Sequence, residues 1–335
     1  MSIGTCDKAG CTVADTGICL LSNPDPNSCP HFIPGPGRQP AVEGPVSAAF
    51  SQRGPAARLF PAGLELGVDD VGEIMRARYA HVIGVLGSWD AGKTCFLLSL
   101  YIMASRGALP PTHIFAGSQT LPGFEARARR LRKWEGGPLP DQLADHTSLA
   151  DPRQPAFLHI SLGETGGSKR IHDLVLTDLP GEWSTALVDR ASTANRFAFL
   201  RRADGIIVVM DGPLLASSSR HSELQRNKHL MERLVESVGV DTSAPLVLLV
   251  SKCDQLQGYR PGVIDEMESH ARSLGFMPEV VLCSAFSRNK DVPSGLGVFE
   301  AIAKVLREVP GVRERINASS IPKGQRAFLN FARWA

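Results

Sequence analysis

Residues 87–94 (GSWDAGKT) combine glycines, a lysine and a threonine at the spacing of a phosphate-binding loop. The segment follows the apolar run HVIGVLG and precedes the run CFLLSLYIMAS, which is the strand-to-helix context that such a loop requires. Its glycines let successive backbone N–H groups face phosphate oxygens, and the following helix adds its positive N-terminal end. We therefore predict phosphate contacts from Gly87, Ser88, Trp89, Asp90, Ala91, Gly92, Lys93, Thr94 and Cys95.

The phosphate loop and a later acidic segment also carry residues suited to bind a nucleotide's terminal phosphates and a metal ion. We expect Lys93 to reach the β- and γ-phosphates of a nucleotide and to assist their cleavage, and the Thr94 hydroxyl to ligate Mg²⁺. The acidic segment DLPGE follows a later apolar run. There, Asp178 is expected to hold Mg²⁺ through water, and the Gly181 N–H to meet the γ-phosphate. Loss of that phosphate would release the segment, as in nucleotide-dependent switches.

Two more segments have the chemistry to recognise a purine base. Asp254 ends the motif SKCD, and a carboxylate can accept both adjacent donors of guanine in a charge-assisted fork. Adenine lacks that donor pair, so the carboxylate would discriminate against it. The stem of Lys252 is expected to lie along the base. The segment Ser284-Ala285-Phe286 offers a backbone N–H for the guanine carbonyl.

The elements that position these motifs follow from continuous apolar runs, as required of strands buried on both faces. Helical segments alternate with them, which predicts an α/β fold: a mostly parallel sheet flanked by helices, with every motif at a carboxyl strand end. We predict four regions: a Cys-rich segment at 1–35, a Pro/Gly-rich linker and docking segment at 36–76, the nucleotide domain at 77–310 and a tail at 311–335. The predicted helices are Thr94–Ser105, Gly123–Trp134, Ala186–Arg202, Glu223–Val238, Gly262–Leu274 and Gly297–Val309.

Taken in order, GSWDAGKT, DLPGE, SKCD and SAF resemble the G1, G3, G4 and G5 motifs of TRAFAC-class GTPases, over about residues 78–310. The stretch GKTCFLLSLY followed by FAGSQTLPGFEAR also resembles bacterial double-GTPase-type domains of conflict or signalling systems. The resemblance implies a Ras-like P-loop fold that binds GTP or GDP with Mg²⁺. It further implies a nucleotide-dependent switch that acts on a protein effector, and many proteins of this class form dimers.

The sequence departs from the resembled pattern at several positions. Ser251 replaces the usual asparagine of the base motif, and we expect this exchange to loosen base selectivity. The stretch between the first helix and the next strands is much longer than in a minimal Ras-like domain, so we predict an insertion there. Because of this insertion the switch threonine cannot be assigned to one position. Thr120 is the first choice, Thr112 the second and Thr147 the third.

Glu182 stands where Ras-like proteins carry a water-positioning glutamine. A glutamate can accept a hydrogen bond from water, but it cannot donate one to the γ-phosphate, and its charge repels that group. We therefore expect slow intrinsic hydrolysis. Four nearby arginines are candidates for a stimulating cation, although a helix-terminal role is expected for the last two: Arg190, Arg196, Arg201 and Arg202.

Four cysteines and a histidine crowd the N-terminal region: Cys6, Cys11, Cys19, Cys29 and His31. Tetrahedral Zn²⁺ takes four sulfur or nitrogen ligands and could fold a segment that is too small to fold alone. The spacings are not those of common zinc ribbons, so zinc binding and free thiols both stay open. Cys95, Cys253 and Cys283 fall in apolar runs and are expected to be packing residues.

Composition excludes several function classes. The net charge of +2 and the 6% aromatic content argue against nucleic-acid binding. No apolar run reaches about 18 residues and no basic leader is present, so we expect no membrane span and a cytoplasmic protein. Two alternatives to a switch remain: a P-loop scaffold that binds nucleotide without turnover, and an ATPase.

Overall fold

The computed structural model describes residues 4–13, 29–34, 63–132, 154–165, 170–256 and 261–306. The chain divides into two units, 1–58 and 59–335. In the first unit, strands β1 (Gly4–Cys6) and β2 (Phe32–Pro34) form an antiparallel pair with Cys6 opposite Phe32.

A seven-stranded sheet forms the centre of the second unit. Its strands are β3 (Ala80–Gly87), β4 (His113–Gly117), β5 (Phe157–Glu164), β6 (Ile171–Thr177), β7 (Gly205–Asp211), β8 (Leu246–Ser251) and β9 (Pro278–Leu282). The strand order is β4-β5-β6-β3-β7-β8-β9. Five neighbouring strands, β6, β3, β7, β8 and β9, pair in parallel, whereas β5 is antiparallel to both β4 and β6. This confirms the predicted α/β class.

Helices flank this sheet. They are α1 (Val68–Ala77), α2 (Lys93–Ser105), α3 (Leu121–Arg132), α4 (Gly181–Asp189), α5 (Gly212–Ala216), α6 (Arg220–Arg233), α7 (Val263–Ser273) and α8 (Val298–Val305). The single helix predicted for Ala186–Arg202 is divided, because Arg190 has an extended backbone (φ −140°, ψ 106°) that ends α4, and a 3₁₀ helix, Ala191–Arg202, follows. Among the described helices, none has the length and apolar character to span a bilayer.

The central strands are buried on both faces, which explains their continuous apolar runs. All seven residues of β7 and all six of β8 are buried. Along β7, Ile207 and Val209 belong to one hydrophobic cluster, and Ile206 and Val208 belong to another. Side chains alternate between the faces of a strand, so each face carries its own apolar layer.

The extra segment between α2 and β5 begins with β4 and α3. Helix α3 packs on α2, where the Tyr101 and Phe124 rings stack with centroids 4.9 Å apart. The residues before α1 also join this edge, because Leu66 and Phe157 exchange backbone hydrogen bonds. These contacts place α3 and residues 63–67 near the end of β6, where the site begins.

Candidate nucleotide-binding site

The predicted phosphate loop lies between β3 and α2. Gly87 has φ 150°, and a Cβ at this position would lie 2.3 Å from the carbonyl oxygen of Val209 on the neighbouring strand. A side chain cannot fit there, so glycine lets the loop leave the sheet between β3 and β7. Gly92 has φ 95° and precedes the first residue of α2. The loop therefore has the backbone shape expected of a phosphate cradle.

Lys93 points back into its own loop. Only 8% of the residue is exposed, and Nζ donates hydrogen bonds to the carbonyl oxygens of Gly87 (3.0 Å) and Ser88 (2.8 Å). Burial lowers the pKa of Lys93 to about 8, against the opposing effect of three nearby carboxylates: Asp178, Glu182 and Asp90. An ammonium held in this way is poorly solvated, so a phosphate group would be a favourable additional partner.

Nucleotide affinity should fall as pH rises above about 8. The charged lysine is the form that attracts phosphates. Without nucleotide, Lys93 loses its proton with a pKa of about 8. A bound phosphate would raise that pKa, because it favours the charged form. Above about pH 8 binding must therefore take up a proton, which costs up to about tenfold in affinity per pH unit. Fluorescence titrations with GDP across about pH 7 to pH 9.5 measure this slope.

The matched variant for this titration is Lys93→Arg, which stays charged throughout the range. Guanine also loses a ring proton in alkaline solution, which by itself makes binding depend on pH. In Lys93→Arg the side chain does not titrate, so any pH dependence that remains comes from guanine. A wild-type profile as flat as that of Lys93→Arg would contradict the assignment.

A buried carboxylate on α6 supports the phosphate loop, although the sequence did not point to it. Glu223 is 2% exposed, and its Oε1 accepts hydrogen bonds from Ser88 Oγ (3.2 Å) and Asn227 Nδ2 (2.9 Å). Its other oxygen lies 3.8 Å from the guanidinium of Arg226. Glu223 thus ties the loop to α6, and no motif signals this contact because the residues are far apart in sequence.

The predicted base motifs meet at one point. Ser284 Oγ donates a 2.9 Å hydrogen bond to Asp254 Oδ1, and the Arg288 N–H donates one of 2.9 Å to Oδ2. Both Asp254 and Ser284 are buried. These bonds fix the orientation of the carboxylate, and each of its oxygens retains a lone pair for a further donor.

Lys252 links the base motif to the phosphate loop. Its Nζ donates to Asp211 Oδ2 (2.7 Å) and to Asp90 Oδ2 (3.2 Å). These two carboxylates raise the pKa of Lys252, although burial acts to lower it. Asp90 (φ 58°) and Lys252 (φ 54°) are also the two non-glycine residues with positive φ in the described part of the chain. Backbone strain of this kind concentrates at functional sites.

One cavity of about 790 Å³ joins the phosphate loop to the base motifs. That volume lies within the range of about 300–1,000 Å³ usual for small-molecule sites. Of the predicted residues, its lining includes Ser88, Trp89, Asp90, Gly92, Lys93, Thr94, Cys95, Gly181, Glu182, Lys252, Ala285 and Phe286. Gly87 and Ala91 belong to the loop, and Asp178 and Ser284 are buried without lining this cavity. Asp254 lines a smaller cavity of about 540 Å³, which shares Gln255 and Arg288 with the first. Arg226 and Arg288 line the cavity without having been predicted.

The segment after β6 lies directly on the phosphate loop. A Cβ at Gly181 would be 2.5 Å from Trp89 Cα and 2.6 Å from Trp89 N, so only glycine permits this approach. Asp178 is 1% exposed and accepts a 2.6 Å hydrogen bond from Arg127 Nε, an ion pair that the sequence did not predict. The hydroxyl of Thr94 and the carboxylate of Asp178 are hard oxygen donors, which fit the ligand preference of Mg²⁺.

The two switch-threonine candidates in the described part of the chain, Thr120 and Thr112, do not line the cavity. Thr120 is fully buried, where its hydroxyl donates to the carbonyl oxygen of His159 (3.3 Å) and accepts from the His159 N–H (2.8 Å). The sequence could not show that this hydroxyl is taken up by β5. The Thr112 hydroxyl is hydrogen-bonded to the His113 ring on the surface, and Thr147 lies outside the described residues.

The four candidate arginines are also absent from the cavity lining. The guanidinium of Arg196 lies 5.4 Å from the centre of the Trp183 ring. Arg201 Nε donates to the carbonyl oxygen of Val238 at 2.7 Å, and Arg202 pairs with Asp204 at 2.9 Å. Arg201 and Arg202 are therefore held by structural contacts outside the cavity.

The cysteine residues divide into two groups. In the first unit, a backbone hydrogen bond at Lys8 lowers the pKa of Cys6, but partial burial and the nearby thiols of Cys11 and Cys29 raise it overall. His31 Nδ1 lies 3.0 Å from Asp7 Oδ1. Cys19 lies outside the described residues, and within those residues no three His, Cys, Asp or Glu side chains are arranged to hold a metal. Zinc binding is therefore not supported.

The second group packs in the core or against it. Cys283 is 1% exposed, and burial raises its pKa. Burial also raises the pKa of Cys95 to about 11. Cys253 packs against the cluster on one face of the sheet, and Cys95 against the other. These protonated thiols are packing residues, although Cys95 also lines the cavity.

Solved GTP-binding proteins resemble this fold. The G domain of the T. maritima FeoB iron transporter is 16% identical, with a TM-score of 0.34 over 68% of this chain and 97% of its own. The signal recognition particle receptor SRb-GTP/SRX complex from Chaetomium thermophilum is 13% identical, with a TM-score of 0.39 over 68% and 98%. A GTP-binding protein from Sulfolobus solfataricus in complex with GDP is 17% identical, with a TM-score of 0.34 over 65% and 50%.

No curated protein gives a match to the chain. A protein-family model, Double-GTPase 2, matches residues 81–306. This range runs from β3 to the end of α8 and contains the phosphate loop, the segment after β6 and both base motifs. It covers two thirds of the sequence, and the chain therefore belongs to the Double-GTPase 2 family.

Proposed function

We propose that this chain is a guanine-nucleotide-dependent switch with slow intrinsic GTP hydrolysis. Membership of the family implies binding of GTP or GDP with Mg²⁺. The observation that carries the proposal is the cavity that joins Lys93 to Lys252, with Asp254 held beside it by Ser284. A carboxylate oriented at one end and a lysine at the other match the two ends of a guanosine phosphate.

Each side chain has a physical role in this proposal. Lys93 would exchange its loop carbonyls for phosphate oxygens, and Thr94 with Asp178 would hold Mg²⁺, which supplies charge neutralisation when bound. At the other end, Asp254 would accept from guanine, and the Ala285 N–H would donate to its carbonyl. The backbone of Gly181 lies against the phosphate loop, so its position would depend on the γ-phosphate.

A competition titration of the full chain against GTP, ATP and XTP tests the base assignment. We expect GTP to bind at least about a hundredfold more tightly than ATP, because adenine offers no donor pair to Asp254. Equal or stronger binding of ATP would overturn the guanine assignment and favour the ATPase alternative.

Glu182→Gln should increase the single-turnover rate of GTP cleavage by about tenfold or more, because an amide can donate to the γ-phosphate and carries no repelling charge. Glu182 is exposed and lines the cavity, so the exchange leaves the core packing in place. Glu236→Gln, at another exposed glutamate, is the control. Rapid multiple turnover by the wild-type chain alone would contradict slow intrinsic hydrolysis.

The buried hydroxyl of Thr120 favours a second candidate function, a scaffold that binds nucleotide without turnover. The single-turnover cleavage assay separates the two, since a scaffold would bind GTP in the titrations yet leave it intact over many hours with or without cellular partners. In the switch proposal, the segment after β6 presents a nucleotide-dependent surface to a protein effector. Resemblance to conflict-associated double-GTPases suggests a bacterial conflict or signalling system as its setting.

A further inference from the structure

Arg127 on α3 is an arginine at the metal site that no motif predicts. Its Nε donates to Asp178 Oδ2 at 2.6 Å, and its Nη2 lies 3.2 Å from Glu65 Oε2. Nη1 donates to the carbonyl oxygens of Gly123 (3.2 Å) and Leu64 (3.4 Å). The side chain of Arg127 is 16% exposed, so these are partly buried contacts with little screening by solvent.

The Arg127 guanidinium and the expected Mg²⁺ would both bind the carboxylate of Asp178. Asp178 is the predicted Mg²⁺ carboxylate, and in this structure the guanidinium of Arg127 already neutralises it. The side chain of Asp178 is 1% exposed, so water screens the charges around it only weakly. A divalent ion beside the guanidinium would be repelled strongly at such distances. Arg127 also has a second carboxylate partner, Glu65, which remains available after the bond to Asp178 is lost.

We propose that Arg127 is an internal cation that competes with Mg²⁺ for Asp178, and that it withdraws toward Glu65 when Mg²⁺ and nucleotide bind. The inference rests on the proposed nucleotide function. Arg127 is a positioning residue here, since it acts through Asp178 rather than on the nucleotide. Its withdrawal alters the anchoring of residues 63–67, because Arg127 holds the Leu64 carbonyl and Leu66 pairs with Phe157 on β5.

The Mg²⁺ requirement for retaining a fluorescent GDP analogue tests this competition. In the full chain, Arg127→Met should lower the free Mg²⁺ concentration for half-maximal retention by about tenfold or more, because the competing charge is gone. Arg127→Lys keeps the charge but not the fork of N–H donors that bridges Asp178 and Glu65, so its Mg²⁺ requirement should lie between those of Arg127→Met and wild type. Arg129→Met removes an exposed arginine of the same helix and is the matched control.

A second variant keeps the test decisive if Arg127→Met folds poorly. Glu65→Gln removes the alternative partner, so Arg127 should stay on Asp178 and the Mg²⁺ requirement should rise by several-fold. Damage to the fold would shift both variants in one direction, whereas competition shifts them in opposite directions. An unchanged or higher requirement in Arg127→Met overturns the inference while wild-type binding stands. A wild-type chain that retains no guanine nucleotide at any Mg²⁺ concentration overturns the proposed function instead.

Discussion

Replacing Lys93 by methionine should lower GTP and GDP affinity by at least about thirtyfold without weakening the nucleotide-free fold. Removal of one partner from a buried charged pair costs about 2–5 kcal/mol, which is roughly a thirtyfold to several-thousandfold loss of affinity. The phosphates would lose their main buried cation, since Lys93 is the lysine of the loop itself and Lys252 is engaged by Asp211 and Asp90. Calorimetry or fluorescence titration measures the loss.

Lys93→Met should leave the stability of the nucleotide-free fold unchanged or increase it. The pKa of Lys93 in the folded chain, about 8, lies below its ordinary value of 10.5, so burial of the ammonium destabilises the fold by about 3 kcal/mol at neutral pH. That penalty is present below about pH 8 and disappears as pH rises toward 10.5. Methionine removes it, although the Gly87 and Ser88 carbonyls lose their donor.

Thermal unfolding with and without GDP therefore separates the two effects. We expect Lys93→Met to melt at or above the wild-type temperature without nucleotide, and to show no increase with GDP. Lys228→Met, at a lysine paired with Glu266 away from the cavity, should keep the nucleotide-induced increase. Wild-type affinity in Lys93→Met would remove the phosphate-loop assignment.

Asp254→Ala should abolish the preference for guanine. Loss of the carboxylate leaves both guanine donors unpaired, so we expect GTP affinity to fall by about 10²–10³-fold while ATP affinity changes little. The variant also leaves the buried Ser284 hydroxyl and the Arg288 N–H without their acceptor, which should cost about 1–3 kcal/mol of stability. Competition titrations with GTP and ATP, together with thermal unfolding, report both effects.

Asp254→Asn distinguishes base recognition from damage to the fold. Asparagine retains an oxygen for Ser284 but places an amide donor where Oδ2 accepts the Arg288 N–H, so that one backbone hydrogen bond is lost. At the base, the amide should reject guanine and accept XTP, whose base carries a carbonyl in place of the 2-amino group, and this gain of XTP binding cannot come from damage to the fold. Asp291→Ala, at an exposed aspartate that lines a separate, smaller cavity together with Asp254, is the control. GTP affinity unchanged in both Asp254 variants would show that the base lies elsewhere.

Local sequence patterns predicted much of the fold and located the phosphate loop. The phosphate loop could be located because its glycines, lysine and threonine are contiguous and follow a strand, and the structure shows that loop between β3 and α2. The parallel sheet followed from apolar runs long enough to be buried on both faces. The domain boundaries and the roles of individual site residues remain predictions.

The sequence by itself determined the order of the strands along the chain, the motifs at their carboxyl ends and the class of ligand that those motifs suit, because each depends on residues close together in the chain. Only the tertiary structure decided which side chains from distant parts of the chain come into contact. Arg127 pairs with Asp178 from 51 positions away, and Glu223 with Ser88 from 135. The burial of Thr120 against β5 likewise depended on where α3 packs. Such contacts follow from how helices pack on the sheet, which no local pattern encodes.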